Sequence, residues 1–216
     1  AHGMDTKGKC SPDRSLLEWQ WSREIVAMIE NTLMAKGIQV HRIVPENNDV
    51  ALSTRCQRVN NYCKRYGTSN CVLISPHINA SGADGKWHDA RGFSVWVAKN
   101  ASAKSKDLAK DFQLKAESLG LKGNRCVPSC KYWESNFYIL KNTPSPLLCF
   151  SFLPPPLAVS SDCRKSFAEF SAQAENKIQR RIVKSNATQY RKRPHREISS
   201  QDICEDADLS NQQKQK

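Results

Sequence analysis

The chain has no run of about 18 apolar residues, the length that a membrane-spanning helix needs, so no segment of it reads as a span. No charged-then-apolar leader opens it. It begins at Ala1 with chemistry-bearing residues almost at once, and the expectation is that its natural start has been removed. Its nine cysteines, an odd number, form no repeating framework. Cys126 and Cys130 lie close together, but no second pair stands at zinc-ribbon spacing. Most of the cysteines read as buried or incidental thiols made in a reducing compartment, with a disulfide scaffold as the lesser alternative. The sequence also holds no recognised nucleic-acid module and no HExxH-type metal signature.

What is present is 216 residues and 24.4 kDa, enough for one domain with a proper core plus an appendage. The formal charge of +12 implies affinity for polyanions: nucleic acid, an anionic cell-wall polymer or a lipid surface. The charge is spread along the chain. Through Phe152 there are 21 basic and 13 acidic side chains, a net of +8, and beyond it 12 and 8, a net of +4.

The chain is organised around Asn70 to Ala80, NCVLISPHINA. Cys71 to Ile74 is a continuous apolar run of the kind that fills a buried strand. The proline at 76 predicts that the strand ends near it, which leaves His77 and Asn79 just beyond a strand's carboxyl end, where open α/β sheets bind ligands. Before this stretch, apolar residues at helical spacing (Leu17, Ile25, Met28, Ile29, Leu33) predict a helix closed by Gly37. Glu18 falls in its first turn, where a carboxylate also suits the helix dipole. Ile38 to Val44 alternates as a strand does. Asn47 to Asp49 then predicts a turn that caps a helix over about 50–66, with Leu52, Cys56, Val59 and Cys63 on one face and Arg55 and Arg58 solvated.

After Ala80 come a loop containing His88, a strand over Gly92–Ala98 and a basic helix from Ala103 to Leu119 with Leu108, Phe112 and Leu119 inward. A loop over 121–136, a short strand at Phe137–Leu140 and a buried strand over Leu147–Phe152 follow. Strands alternating with helices predict an α/β fold, a mostly parallel twisted sheet with helices on both faces. Past Leu153 the character changes. Pro154 to Pro156 block regular structure, and residues 153–216 are poor in large apolar groups and carry the basic cluster YRKRPHR. The expectation is a domain over 1–152 and a divergent, basic, disordered tail over 153–216.

His2, Glu18 and His77 are two imidazoles and a carboxylate from three separate elements, a donor set that suits a catalytic zinc with an open fourth position. With them stand His2-Gly3, Ser75-Pro76-His77-Ile78-Asn79-Ala80, Gly92-Phe93, Leu119-Gly120-Leu121 with Asn124-Arg125, and Asn136-Phe137-Tyr138-Ile139-Leu140 followed by Lys141-Asn142-Thr143. In this order, over about residues 1–146, the chain resembles the zinc-dependent N-acetylmuramoyl-L-alanine amidases of the amidase-3 type, peptidoglycan hydrolases of cell walls and phage lysins.

The resemblance implies Zn2+ held by His2, Glu18 and His77, and hydrolysis of the amide between N-acetylmuramic acid and L-alanine. It implies peptidoglycan as the partner, with no nucleic acid, and action on the bacterial wall outside the cytoplasm. With no leader visible, the protein would be either a phage or prophage lysin or a secreted protein whose leader is missing. Two departures accompany it. The family has a strand ahead of its His-Gly pair, so the first strand is expected to be missing and His2 to be loosely held. The family also ends its last strand on a glutamate that serves as general base and acid, where this chain has Ser151. A hydroxyl cannot take a proton near neutral pH as a carboxylate does, and that proton transfer typically contributes roughly 100- to 10,000-fold. The chain is therefore expected to be crippled in hydrolysis, and a non-catalytic peptidoglycan-binding protein of the same fold is the alternative. Everything after about Pro146 is expected to be a replaced segment or an out-of-frame reading of the family terminus. A basic nucleic-acid-binding protein is the third and least favoured reading.

Overall fold

The computed structural model describes residues 2–79, 84–88, 92–121, 128–144 and 147–153. The elements, in chain order, are helix α1 (Glu18–Met34), helix α2 (Leu52–Tyr66), strand β1 (Leu73–Ile78), strand β2 (Gly92–Ala98), helix α3 (Ala103–Ser118), strand β3 (Trp133–Ser135), a single helical turn α4 (Tyr138–Lys141) and strand β4 (Leu147–Leu153). The four strands form one sheet in the order β1-β4-β2-β3. β1 with β4 and β2 with β3 run parallel, and β2 with β4 runs antiparallel. The fold is α/β, as expected.

Alternation along β2 assigns the two faces of the sheet. Phe93, Val95 and Val97, all fully buried, pack with Ile25 of α1 and with Leu108, Ala109, Phe112 and Ala116 of α3. Trp96 and Ala98 turn to the opposite face, where Leu140 of α4 and Leu73 of β1 meet them. Helices thus cover both faces. α3 starts on a sequence-coded cap: the Ser102 hydroxyl accepts from the Ser105 backbone N–H at 3.2 Å. Gly37 closes α1 at φ +72°, a left-handed turn open to glycine.

Several expectations are corrected. Ile38 to Val44 forms no strand. This segment faces the outer edge of β1 across a cavity of about 850 Å³ lined by Ile29, Leu33, Val40, Val59 and Ile74 among others. Set across that cavity, the alternating segment pairs with no strand among the described residues and stays irregular. β1 does not stop near Pro76 but runs through it to Ile78. It is an edge strand of the described sheet, so the missing proline N–H interrupts no pairing there.

Phe137–Leu140 is not a strand. Its place in the sheet is taken by Trp133–Ser135, and Trp133 stacks on Trp96 with ring centroids 5.8 Å apart. Asp49 does not cap α2. It pairs instead with the Arg55 guanidinium, which is buried rather than solvated and also donates to the Val50 carbonyl at 2.7 Å. Leu52, expected inward, is 47% exposed, while Cys56, Val59 and Cys63 are buried as expected. The tail over 154–216 lies outside the described residues, as do Asn124, Arg125 and Cys126.

Candidate metal centre

Three elements converge at the carboxyl end of β1. Glu18 is the first residue of α1. A tight turn precedes it, in which the Leu16 carbonyl accepts from the Ser11 N–H at 2.9 Å and the Lys9 carbonyl accepts from the Glu18 N–H at 3.0 Å. The carboxylate is thereby fixed at the helix's positive end, where backbone N–H groups favour an anion, and only 6% of the residue is exposed. His77 is the last residue but one of β1.

His2 sits in the N-terminal loop, and the expectation that it is loosely held is corrected. Its carbonyl accepts from the Arg23 guanidinium at 2.9 Å, the Met4 N–H donates to the Asn47 carbonyl at 2.8 Å, and the Asp49 N–H donates to the Asp5 carboxylate at 2.6 Å. Gly3 lies so close to the 48–49 backbone that a Cβ there would stand 1.9 Å from the Asp49 nitrogen. The loop is pressed onto its neighbour because residue 3 has no side chain.

The side chains meet. His77 Nδ1 lies 3.0 Å from Glu18 Oε1, and His2 Nε2 lies 3.7 Å from Glu18 Oε2. The two imidazoles stand edge to face with centroids 5.7 Å apart. One donor atom from each residue falls within 4.8 Å of the other two. The other nitrogen of His77, Nε2, is 3.2 Å from Ser75 Oγ.

Burial holds the His2 imidazole below its ordinary pKa of 6.5 against the opposing pull of Glu18, so it is neutral near pH 7 and offers a lone pair. Burial alone would raise the Glu18 carboxyl. The hydrogen bond to His77 and, at the acid pH where the carboxyl titrates, the charge of the protonated histidines outweigh that and hold it below the ordinary carboxylate value, so it is ionised near pH 7. Two imidazoles and one carboxylate, partly sheltered from water, are a donor set that could hold a divalent cation. The loop residue His88 lies apart and pairs with Asp84 at 2.8 Å on the surface.

Sequence reasoning named all three donors but not their supports. Ser75 stands two residues before His77 on one strand, hence on one face, and that spacing was the available signal. Nothing local pointed to Arg23, whose partner is the backbone of residue 2. The β4 register pairs Ser151 with His77 across the sheet, so the position read as departing from the family glutamate runs beside a candidate ligand.

Among solved structures the chain is similar to an N-acetylmuramoyl-L-alanine amidase from Clostridium difficile 630, with a TM-score of 0.66 and 22% identity over 86% of this chain and 94% of that one. It is similar also to the apo form of the amidase Ami1 from Mycobacterium abscessus (TM-score 0.64, 16% identity, 81% and 83% covered). A third is the catalytic domain of CwlV from Bacillus (Paenibacillus) polymyxa var. colistinus (0.63, 16%, 85% and 94%). These likenesses establish the shared fold. No curated protein matches the chain. The Amidase_3 family, described as N-acetylmuramoyl-L-alanine amidase, matches residues 1–153, which take in every described element from the His2 loop to β4. The chain belongs to the Amidase_3 family of N-acetylmuramoyl-L-alanine amidases.

Proposed function

We propose that His2, Glu18 and His77 hold a zinc ion and that the centre serves the amide bond between N-acetylmuramic acid and L-alanine of peptidoglycan. The observation that carries this reading is the convergence of three donor atoms from three elements within 4.8 Å. A tetrahedral zinc with ligands at about 2.05 Å needs donor atoms about 3.3 Å apart. Each imidazole lies within 3.7 Å of one Glu18 oxygen, and one donor atom from each residue falls within 4.8 Å of the other two, so small side-chain adjustments bring the set to that spacing and the residues fit the ion.

When bound, zinc lowers the pKa of a coordinated water to about 7 and polarises a carbonyl. The chain's own residues do the rest. Arg23 and Gly3 fix the backbone that carries His2. With Nδ1 of His77 turned toward the donor cluster, its Nε2–H points to Ser75 Oγ, which holds the ring's tautomer and tilt. The neutral imidazole of His2 and the ionised Glu18 keep the donor set ready for a cation near pH 7. The basic chain favours the anionic wall polymer, and the place of action is outside the cytoplasm.

A second reading is favoured by Ser151. Its register position beside His77 is where a carboxylate base would serve, and a hydroxyl is no base at neutral pH. On this reading the protein binds muramyl peptide without cutting it.

Digestion of purified peptidoglycan with and without a chelator, read by mass spectrometry, separates the two. Stem peptides with a free L-alanine terminus, lost on chelation, support hydrolysis. Intact polymer that still retains the protein supports binding, and the Ser151→Glu variant is then expected to gain hydrolysis. If zinc does not bind and peptidoglycan is neither cut nor retained, both readings fail.

A further inference from the structure

The cavity beside β1 brings together two thiols that the candidate metal centre does not use. Cys63 lies in the last turn of α2 and is buried; Cys71 stands two residues ahead of β1 and is half-buried. The chain between them folds back tightly. Gly67, at φ +86°, ends the helix while its N–H donates to the Cys63 carbonyl at 3.0 Å. The Asn70 side chain donates to the Tyr66 carbonyl at 2.9 Å, across the short 3₁₀ turn Thr68–Asn70. Cys71 is thereby returned against the helix it has just left. Its sulfur lies 3.8 Å from the carbonyl of Tyr62, the residue next to Cys63, and the Cys63 thiol is near enough to raise its pKa. Both residues line the cavity, which gives a small reagent a route to them.

We propose that Cys63 and Cys71 are a disulfide-forming pair that a thiol–disulfide oxidant such as oxidised glutathione closes, tying the end of α2 to the start of β1. One thiol gives its proton to solvent and its sulfur attacks the glutathione disulfide, breaking the S–S bond and releasing one glutathione. The second thiol, deprotonated in turn, attacks the protein sulfur of that mixed disulfide and releases the other. The two cysteines together lose two electrons and two protons, and one glutathione disulfide becomes two thiols. Burial, chiefly, and the neighbouring Cys63 push the Cys71 thiol up to about 11, so closure is slow at neutral pH and quickens as pH rises. Cys56 is no competitor. It lies seven residues before Cys63 on the same helix, about 10 Å along its axis, whereas a disulfide needs Cα atoms roughly 4.4–6.8 Å apart.

The test oxidises the fully reduced full-length chain in its native state with oxidised glutathione at mildly alkaline pH, alkylates the remaining thiols and digests with trypsin. Cys63 falls in the fragment Val59–Lys64 and Cys71 in the fragment Tyr66–Lys86. The expected product is these two fragments joined, lighter than their sum by two hydrogens, and absent from the Cys71→Ser variant. The oxidised protein is expected to unfold with an equilibrium constant roughly 80-fold smaller, the loop-closure effect for a link of this span. The proposal is overturned if both cysteines remain alkylated while the exposed Cys10 and Cys130 are glutathionylated. It is overturned equally if Cys71 pairs elsewhere, if the link forms only in denaturant, or if oxidation leaves the unfolding constant unchanged.

Discussion

Replacing Gly3 with alanine tests the link between backbone packing and the candidate metal centre without touching a candidate ligand. A Cβ at residue 3 would stand 1.9 Å from the Asp49 nitrogen, 2.3 Å from the Asn48 carbonyl carbon and 2.4 Å from Asp49 Cα, where ordinary contact begins at 3.4 Å. All three neighbours are backbone atoms, and the Asp5 carboxylate and the Arg55 guanidinium both hold Asp49 in place. The N-terminal loop must therefore give way, by about 1.5 Å. Metal sites tolerate ligand displacements of only about 0.2 Å, so His2, the adjacent residue, leaves the cluster.

Losing a supporting residue around a metal typically costs 10- to 100-fold in affinity. If His2 is one of three ligands of the proposed zinc, its loss is expected to exceed that, so Gly3→Ala should bind zinc more than about 100-fold more weakly. The clash itself is worth about 1–3 kcal/mol, which for a chain of this size lowers the melting temperature by roughly 2–12 °C. Zinc competition against a chromophoric chelator, with calorimetry on the metal-free protein, measures both. A Gly3→Ala variant that binds zinc and melts like its parent would refute the reasoning. A lower melting temperature with unchanged zinc affinity would break the connection from Gly3 to His2 and leave only the steric argument.

Ser75→Ala removes the hydroxyl that meets His77 Nε2 and is expected to weaken zinc roughly 10- to 100-fold with little change in melting; equal affinity would mean that the ring is oriented without it. Glu46 accepts from the Arg58 guanidinium at 2.6 and 2.9 Å, and those hydrogen bonds, against burial, hold its carboxyl below the ordinary 4.5. Its contribution is complete above that value and lost as pH falls through the lower folded value. The pair is partly exposed, so the effect is at most about 1 kcal/mol. Glu46→Gln should accordingly lower the melting temperature at pH 7 and make no difference near pH 2, and an equal effect at both would contradict the assignment.

Much of this protein is legible without a structure. Apolar spacing delimits α1 to α3 to within a few residues and β2 exactly as its run of alternating residues does, because those signals are local. The candidate donors His2, Glu18 and His77 are named by residue chemistry and motif. Pairing and burial are not local, and there the tertiary structure decided. Ile38–Val44 has a strand's pattern but no strand beside it among the described residues, since the cavity separates it from β1. Trp133–Ser135 lacks the pattern yet becomes a strand because Trp96 offers a ring to stack on. Arg55 reads as solvated until Asp49 and the Val50 carbonyl meet its guanidinium inside the fold. The three donors lie 16 and 59 residues apart in the chain. Only the packing of an N-terminal loop, a helix start and a strand end brings their atoms within 4.8 Å, and the same packing gives Arg23, Gly3 and Ser75 their roles.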